Sequence, residues 1–278
     1  MAVHDAYARF TPYELLLPDP EFPDRSFTAI TREAEERGVD AGNPAAYVML
    51  GAVQGALAEL RDEDAGAESA HDHAGILFHA YHFWRCDGGV VLAQRKTVRG
   101  LLAGGAGAGR GEDELAVEDE AGWAGGLQGR AGYVQLPQHL VWMESPDEPP
   151  ESVDGFFWHG GEDGVLHLAM VAGMRRDRPG CVVVTVPPQP LTALPGWATG
   201  PAREGGGDFT TSLPGAELDG LLGIRTPAEV FKLASLLLGR VVRKRLEPVA
   251  PSAPPAISSQ SPPNDADPRA TTLPFAVL

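Results

Sequence analysis

Residues 71–86, HDHAGILFHAYHFWRC, carry four of the chain's eight histidines and one of its two cysteines. The conformation of this stretch decides how the rest is arranged, because a helix gathers the imidazoles and a strand scatters them. At about 100° per residue, a helix puts His71, His79, His82 and Cys86 within an arc of roughly 80°, with His73 pointing elsewhere. Leu77, Ala80, Tyr81 and Trp84 fall on the opposite side and form the expected core-facing stripe. In a strand, His79 and His82 would project from opposite faces. Asp-Gly between apolar runs is also a hairpin signal, and the aromatics of LFHAYHFWR suit a strand. The length of the run and the Asp87, Gly88 and Gly89 stop after it favour the helix.

Upstream of this stretch the pattern is helical. TPYE at 11–14 is a capping box that opens a short helix ended by Pro18. Residues 24–38 read as a helix with a charged outer face and Gly38 as its stop. Residues 43–61 read as one helix, with Asn43 as cap, Pro44 in the first position, and Tyr47, Leu50, Val53, Leu57 and Leu60 as its buried stripe. Downstream, VVLAQ reads as a short strand and RKTVRGLLA as a short helix. Glycine and acidic residues then dominate 104–130, which is expected to be a flexible loop.

The middle of the chain reads as strands over 132–143, 155–160, 165–174 and 181–186, rich in branched and aromatic residues. Short links between them favour antiparallel neighbours. Pro137 within the first argues for a sheet edge or a bulge. Alternation places Val165, His167, Ala169 and Val171 on one face, and Leu166, Leu168 and Met170 on the other. A long loop follows at about 195–220. TPAE then opens a helix from 227 to about 246, with Val230, Leu233, Ala234, Leu237 and Val241 as its stripe. From Pro248 to 278 the chain is rich in proline and serine and closes on LPFAVL. These elements predict one α+β domain over residues 8–247. Its mostly antiparallel sheet, about 132–186, has one face covered by the N-terminal helices and the 227–246 helix, and a disordered Pro-rich tail follows at 248–278.

Charge restricts the partners. With 38 acidic and 22 basic residues the formal net charge is −16, which repels nucleic-acid phosphates and anionic lipid surfaces. The first twenty residues do not follow a secretory leader pattern, and no apolar run reaches the roughly 18 residues that span a bilayer. Cys86 and Cys181 could form one disulfide, but separate buried thiols are the commoner state in a cytosolic chain. A cytoplasmic protein that contacts neither nucleic acid nor membrane is expected.

No HExxH, paired CxxC, P-loop or GxSxG pattern names a reaction. Two places could hold chemistry. In the helix, His79, His82 and Cys86 lie three or four residues apart and could converge on zinc, with His167 or His159 of the sheet as further ligands. The plainer reading is a polar helix face against the sheet or solvent, and a pH-responsive face is a third possibility. The second place is REGGGDFTTSLPG. There the Gly205, Gly206 and Gly207 amides could nest an anion, and Thr210, Thr211 and Ser212 add hydroxyls. Asp208, Arg203 and His79 are the candidate catalytic side chains. The tail could dock on a partner or fold back onto its own domain. With no cofactor motif, the favoured function is a non-catalytic protein-binding or regulatory module. The alternative is a small-ligand-binding or metal-dependent enzyme that uses loop 203–212 and the His79/His82 face, with zinc as its cofactor.

Overall fold

The computed structural model describes residues 21–63, 70–103, 125–143, 150–173, 182–199, 222–224, 227–243 and 275–277. A π-helical turn, Pro23–Phe27, runs directly into α1, Thr28–Arg37. Gly38, left-handed at φ 60°, ends it as expected. Asn43 caps α2, Pro44–Tyr47, its side-chain oxygen accepting from the Ala45 and Ala46 amides at 3.0 and 3.3 Å. The single helix expected over 43–61 is broken after this turn, and α3 starts afresh at Gly51–Glu63.

The break has a tertiary cause. The Gly51 and Ala52 amides at the start of α3 donate to the two Glu33 carboxylate oxygens of α1, at 2.9 and 2.6 Å. A carboxylate on the orphan amides of a helix N-terminus is favourable, and here it comes from another helix. Gln54 donates to the Val48 carbonyl at 2.6 Å, which closes the gap from the other side. The buried stripe survives the break, since Tyr47, Leu50, Val53, Leu57 and Leu60 all lie in the core.

The deciding stretch is a helix, α4, Ala70–Arg85. Asp87 takes a left-handed φ of 47°, and the Gly88 amide donates to the Phe83 carbonyl at 2.7 Å, so the chain leaves the helix abruptly. It continues into β1, Gly89–Leu92, and α5, Arg95–Ala103. Next come β2, Arg130–Gln135, β3, Val141–Met143, β4, Glu151–Gly160, β5, Val165–Ala172, and β6, Val182–Pro190. A 3-10 turn leads to α6, Leu194–Thr199. Strand β7, Leu222–Ile224, helix α7, Pro227–Arg243, and strand β8, Phe275–Val277, complete the described chain.

The sheet has the order β6-β5-β4-β2-β1-β8, with β3 beside β4 and β7 beside β3. Pairs β2–β4, β4–β5, β5–β6 and β3–β4 are antiparallel, while β1–β2, β1–β8 and β3–β7 are parallel. The fold is therefore α+β with a mostly antiparallel sheet. Residues 132–143 form two strands, β2 and β3, because the chain leaves the ladder around Pro137, which has no amide to donate.

One expectation is corrected: the two helical groups cover opposite faces of the sheet. Helices α1 to α4 share a core with Tyr133, Phe157, Ala169 and Val171. Helix α7 shares another with Val134, Phe156, Trp158, Leu168 and Met170. The alternation read from β5 holds, but β4 and β5 are apolar on both sides, so each face needs a cover. The expected stripe of α7 is buried throughout. The capping box at 11–14, residues 104–124 of the acidic loop, most of the 195–220 loop and residues 248–274 of the tail lie outside the described residues. Among the described residues no helix is long and apolar enough to cross a membrane.

Helix α4 lies close on β6 at Gly75, where an added Cβ would fall 2.5 Å from the Thr185 methyl. Gly75→Ala is expected to destabilise the fold by about 1–3 kcal/mol through overpacking. In a Thr185→Ser background, which removes that methyl, the same change should instead stabilise by up to about 1 kcal/mol through helix propensity. Urea unfolding of the four-member mutant cycle measures the sign reversal.

The hydrogen bonds from Ala52 and Gly51, with the Arg37 guanidinium beside them, hold the Glu33 carboxyl down at about 2, against an ordinary 4.5. Its stabilising contribution is complete above pH 4.5 and is lost as the pH falls towards 2. Glu33→Ala should lower the melting temperature at pH 7, and the gap from the wild type should shrink in scans between pH 4 and 2.5.

Candidate functional site

Helical spacing sets Phe78, His79 and His82 on neighbouring positions of α4. Strand alternation sets Phe157 and His159 on the same face of β4, and His159 lies directly opposite His167 of β5. Packing α4 on the sheet brings these groups into one layer. The His82 and His159 rings stack with centroids 3.8 Å apart and planes 13° apart, and His159 stacks on His167 at 5.8 Å. Phe78 sits among them, meeting His82 at 4.5 Å, His79 at 5.3 Å and His167 at 5.4 Å. His79 lies nearly parallel to Phe157 at 6.3 Å.

The layer is buried. His79, His82, His159 and His167 are all under a tenth exposed, and His73 is buried too. The α4 face that carries His79 and His82 packs against the sheet, one of the two surroundings expected for it, and α4 is covered on both sides. Tyr81 and Leu77 pack with Phe27 and Tyr47 under the other helices, while the imidazoles meet the sheet. Among the ring nitrogens, His82 Nε2 has a clear protein partner. It donates to the Ala41 carbonyl at 3.0 Å, which fixes the tautomer. The Nδ1 atoms of His79 and His159 are buried without a hydrogen-bond partner.

Burial governs the charge state. Desolvation, with further depression by His167 and His159, brings the His79 imidazole down to about 3. Burial and the His167 ring bring His159 down to about 4, against a raising pull from Asp163 and Asp40. His82 is pushed well below its ordinary value by burial and by His159, although its bond to Ala41 opposes this. His167 is lowered by burial, with Asp163 and Asp40 opposing. At neutral pH the layer holds uncharged imidazoles.

The expected zinc set is not assembled. His82 is committed to Ala41 and to the His159 stack, and face-to-face rings do not aim their lone pairs at a shared ion. Cys86 is a partly buried free thiol, with its pKa raised chiefly by burial. Among the described residues no three His, Cys, Asp or Glu side chains are arranged to hold a metal ion. The second candidate, with Arg203, Gly205, Gly206, Gly207, Asp208, Thr210, Thr211 and Ser212, lies outside the described residues.

A cleft of about 480 Å³ opens beside the imidazole layer, between α2, α4 and the β5–β6 pair. His79 and His167 stand in its wall, with Gly75, Phe78, Thr185 and Pro187 among its other lining residues. Sequence reasoning missed Phe78, Gly75 and Thr185, and it weighed His159 and His167 only as extra zinc ligands. The available signal was the alternation in FFWHG and VLHLAMV, which already put both histidines on definite faces. Comparison of the chain with protein-family models, with curated proteins and with solved structures finds no match.

Below pH 6.5, each histidine that stays neutral in the fold takes up a proton on unfolding. The stability this neutral form gives is complete above pH 6.5, and it is lost as the pH falls through 6.5 towards the folded values of about 4 and 3 for His159 and His79. The loss is about 1.4 kcal/mol per pH unit for each such group. His159→Phe keeps a flat ring beside His82 and removes one titration. Urea denaturation between pH 7 and 5 should show a shallower pH dependence for this variant, by roughly one proton.

Proposed function

We propose that this chain is a non-catalytic binding or regulatory module that takes a small, largely apolar molecule into the cleft between α4 and the β5–β6 pair. The observation that carries this reading is the composition of the cleft. Its volume of about 480 Å³ suits a small organic ligand, and its walls combine apolar groups such as Phe78, Leu168 and Val186 with two imidazoles. Neutral imidazole both donates and accepts one hydrogen bond, so His79 and His167 can orient an uncharged polar group on the ligand. His79 Nδ1 has no protein partner to give up in doing so.

The same burial argues for binding over catalysis. A general base works best with a pKa near the operating pH, and His79 is held at about 3. A cytoplasmic location belongs to this reading, supported by the free thiol of Cys86, which suits a reducing compartment. The net charge of −16 argues against nucleic acid as the partner.

A thermal-shift screen of uncharged aromatic and alicyclic compounds, followed by amide chemical-shift mapping, tests the proposal. Hits should raise the melting temperature and perturb Gly75, His167 and Thr185. Ala74→Trp, which fills the cleft from its α4 wall, should abolish both effects while keeping the native spectrum. Hits that map elsewhere, or that bind Ala74→Trp as well as the wild type, would sink the idea.

A further inference from the structure

We propose that residues 41–48 form the lip of the cleft, and that His82 is the positioning residue that sets the width of the cleft by holding the Ala41 carbonyl. This deepens the binding role proposed above and rests on it. The cleft has two unlike walls. One comes from α4 and the β5–β6 pair, through residues such as Gly75, His79, His167 and Thr185. The other is made by Pro44, Ala45 and Val48, which belong to α2 and the residue after it.

A helix of four residues does not hold its own place, because a single turn is too short to be stable in water. Its position comes from contacts with the body of the fold. Asn43, Pro44 and Ala45 are exposed, while Ala41 and Tyr47 on either side of them are buried. Both of these meet α4. The Tyr47 ring packs on Phe78 and Tyr81, with centroids 5.3 Å from each, and its hydroxyl donates to the Leu77 carbonyl at 3.3 Å. The Ala41 carbonyl accepts from His82 Nε2 at 3.0 Å.

The two anchors differ in kind. Tyr47 fixes the far end of α2 mainly by packing, which is not directional. His82 fixes the near end by a directional hydrogen bond, from a ring that is itself held. That ring stacks on His159 at 3.8 Å, and His159 stacks on His167, a residue of the opposite wall. A row of rings therefore runs from one wall of the cleft to the carbonyl that leads into the other wall, and its thickness fixes their spacing. A buried carbonyl left without a donor is costly. Without Nε2, the Ala41 carbonyl turns outward to water and carries Pro44 and Ala45 away from His167. A wider mouth admits larger ligands, so His82 governs selectivity without lining the cleft.

The test compares two variants of the full chain. His82→Phe keeps a flat ring on His159 and removes the donor. His82→Gln restores a donor, since its amide nitrogen lies as many bonds from the backbone as Nε2. Amide exchange is read first, without ligand. In His82→Phe the Ala46, Tyr47 and Val48 amides should exchange about tenfold faster than in the wild type, with β4–β5 protection unchanged, and His82→Gln should reverse most of that gain. The probes are then phenol and naphthol, both uncharged at neutral pH, followed by the amide shifts of Gly75 and Thr185. The ratio of their dissociation constants should move about threefold in favour of naphthol in His82→Phe and stay at the wild-type value in His82→Gln. Imidazole nitrogen spectra of the wild type, which need no variant, should find the His82 proton on Nε2 and slow to exchange. A proton on Nδ1 overturns the proposal, as does α2 exchange that is equal in all three proteins or that quickens along with β4–β5. Faster α2 exchange with an unchanged probe ratio overturns the selectivity assigned to His82. If neither probe shifts Gly75 or Thr185 in the wild type, the binding role of the cleft fails and takes this proposal with it, whatever the exchange shows.

Discussion

The contact of α4 with the middle of the sheet is the constraint on which the rest of the N-terminal half depends. Helices α1, α2 and α3 reach the sheet mainly through α4, whose Tyr81 and Leu77 gather Phe27 and Tyr47 on its outer side. Its inner side meets β4, β5 and β6 in a layer of imidazole and phenyl rings. A helix can be buried on both sides only if its polar residues tolerate desolvation. Histidine is the residue that can do so by giving up its proton. The cleft follows from the same contact, since it lies where α4 and the β5–β6 pair part beyond the Gly75–Thr185 approach.

The sheet is a wall between two cores of different character. On the α7 side the hydrophobic lining is aliphatic apart from Phe156, Trp158, Trp197 and Phe231, and α7 presents a regular stripe to it. On the α4 side aromatic and imidazole rings predominate, packed at edge-on and stacked angles. An aliphatic layer tolerates small shifts with little change in energy, whereas rings have preferred mutual orientations. The cleft lies on the ring side.

Much of this was legible in the residues. The helical reading of 71–86 rests on the length of the run and the Asp87, Gly88 and Gly89 stop, and the face assignments in VLHLAMV and the stripe of α7 rest on periodicity, which tertiary packing did not override. The break between α2 and α3 was not legible, because the carboxylate that caps α3 belongs to Glu33 of another helix. The meeting of His82 with His159 was hidden for a related reason. Each position was readable, but the register and the crossing of helix over sheet belong to neither segment alone. The two helical layers could not share one face, because alternate residues of FFWHG give β4 apolar groups on both sides and each side needs a cover.

One consequence follows from the run Phe156, Phe157, Trp158, His159 in β4. Slipping this strand by a single place against β5 would exchange the two sets of side chains, turning the imidazole of His159 into the aliphatic layer and the indole of Trp158 towards His82. Such a slip would strand a polar ring among groups that offer it nothing to bond. A misthreaded sheet is thereby penalised at its central strand, and the buried imidazole of His159 acts as a proofreader of the fold's assembly.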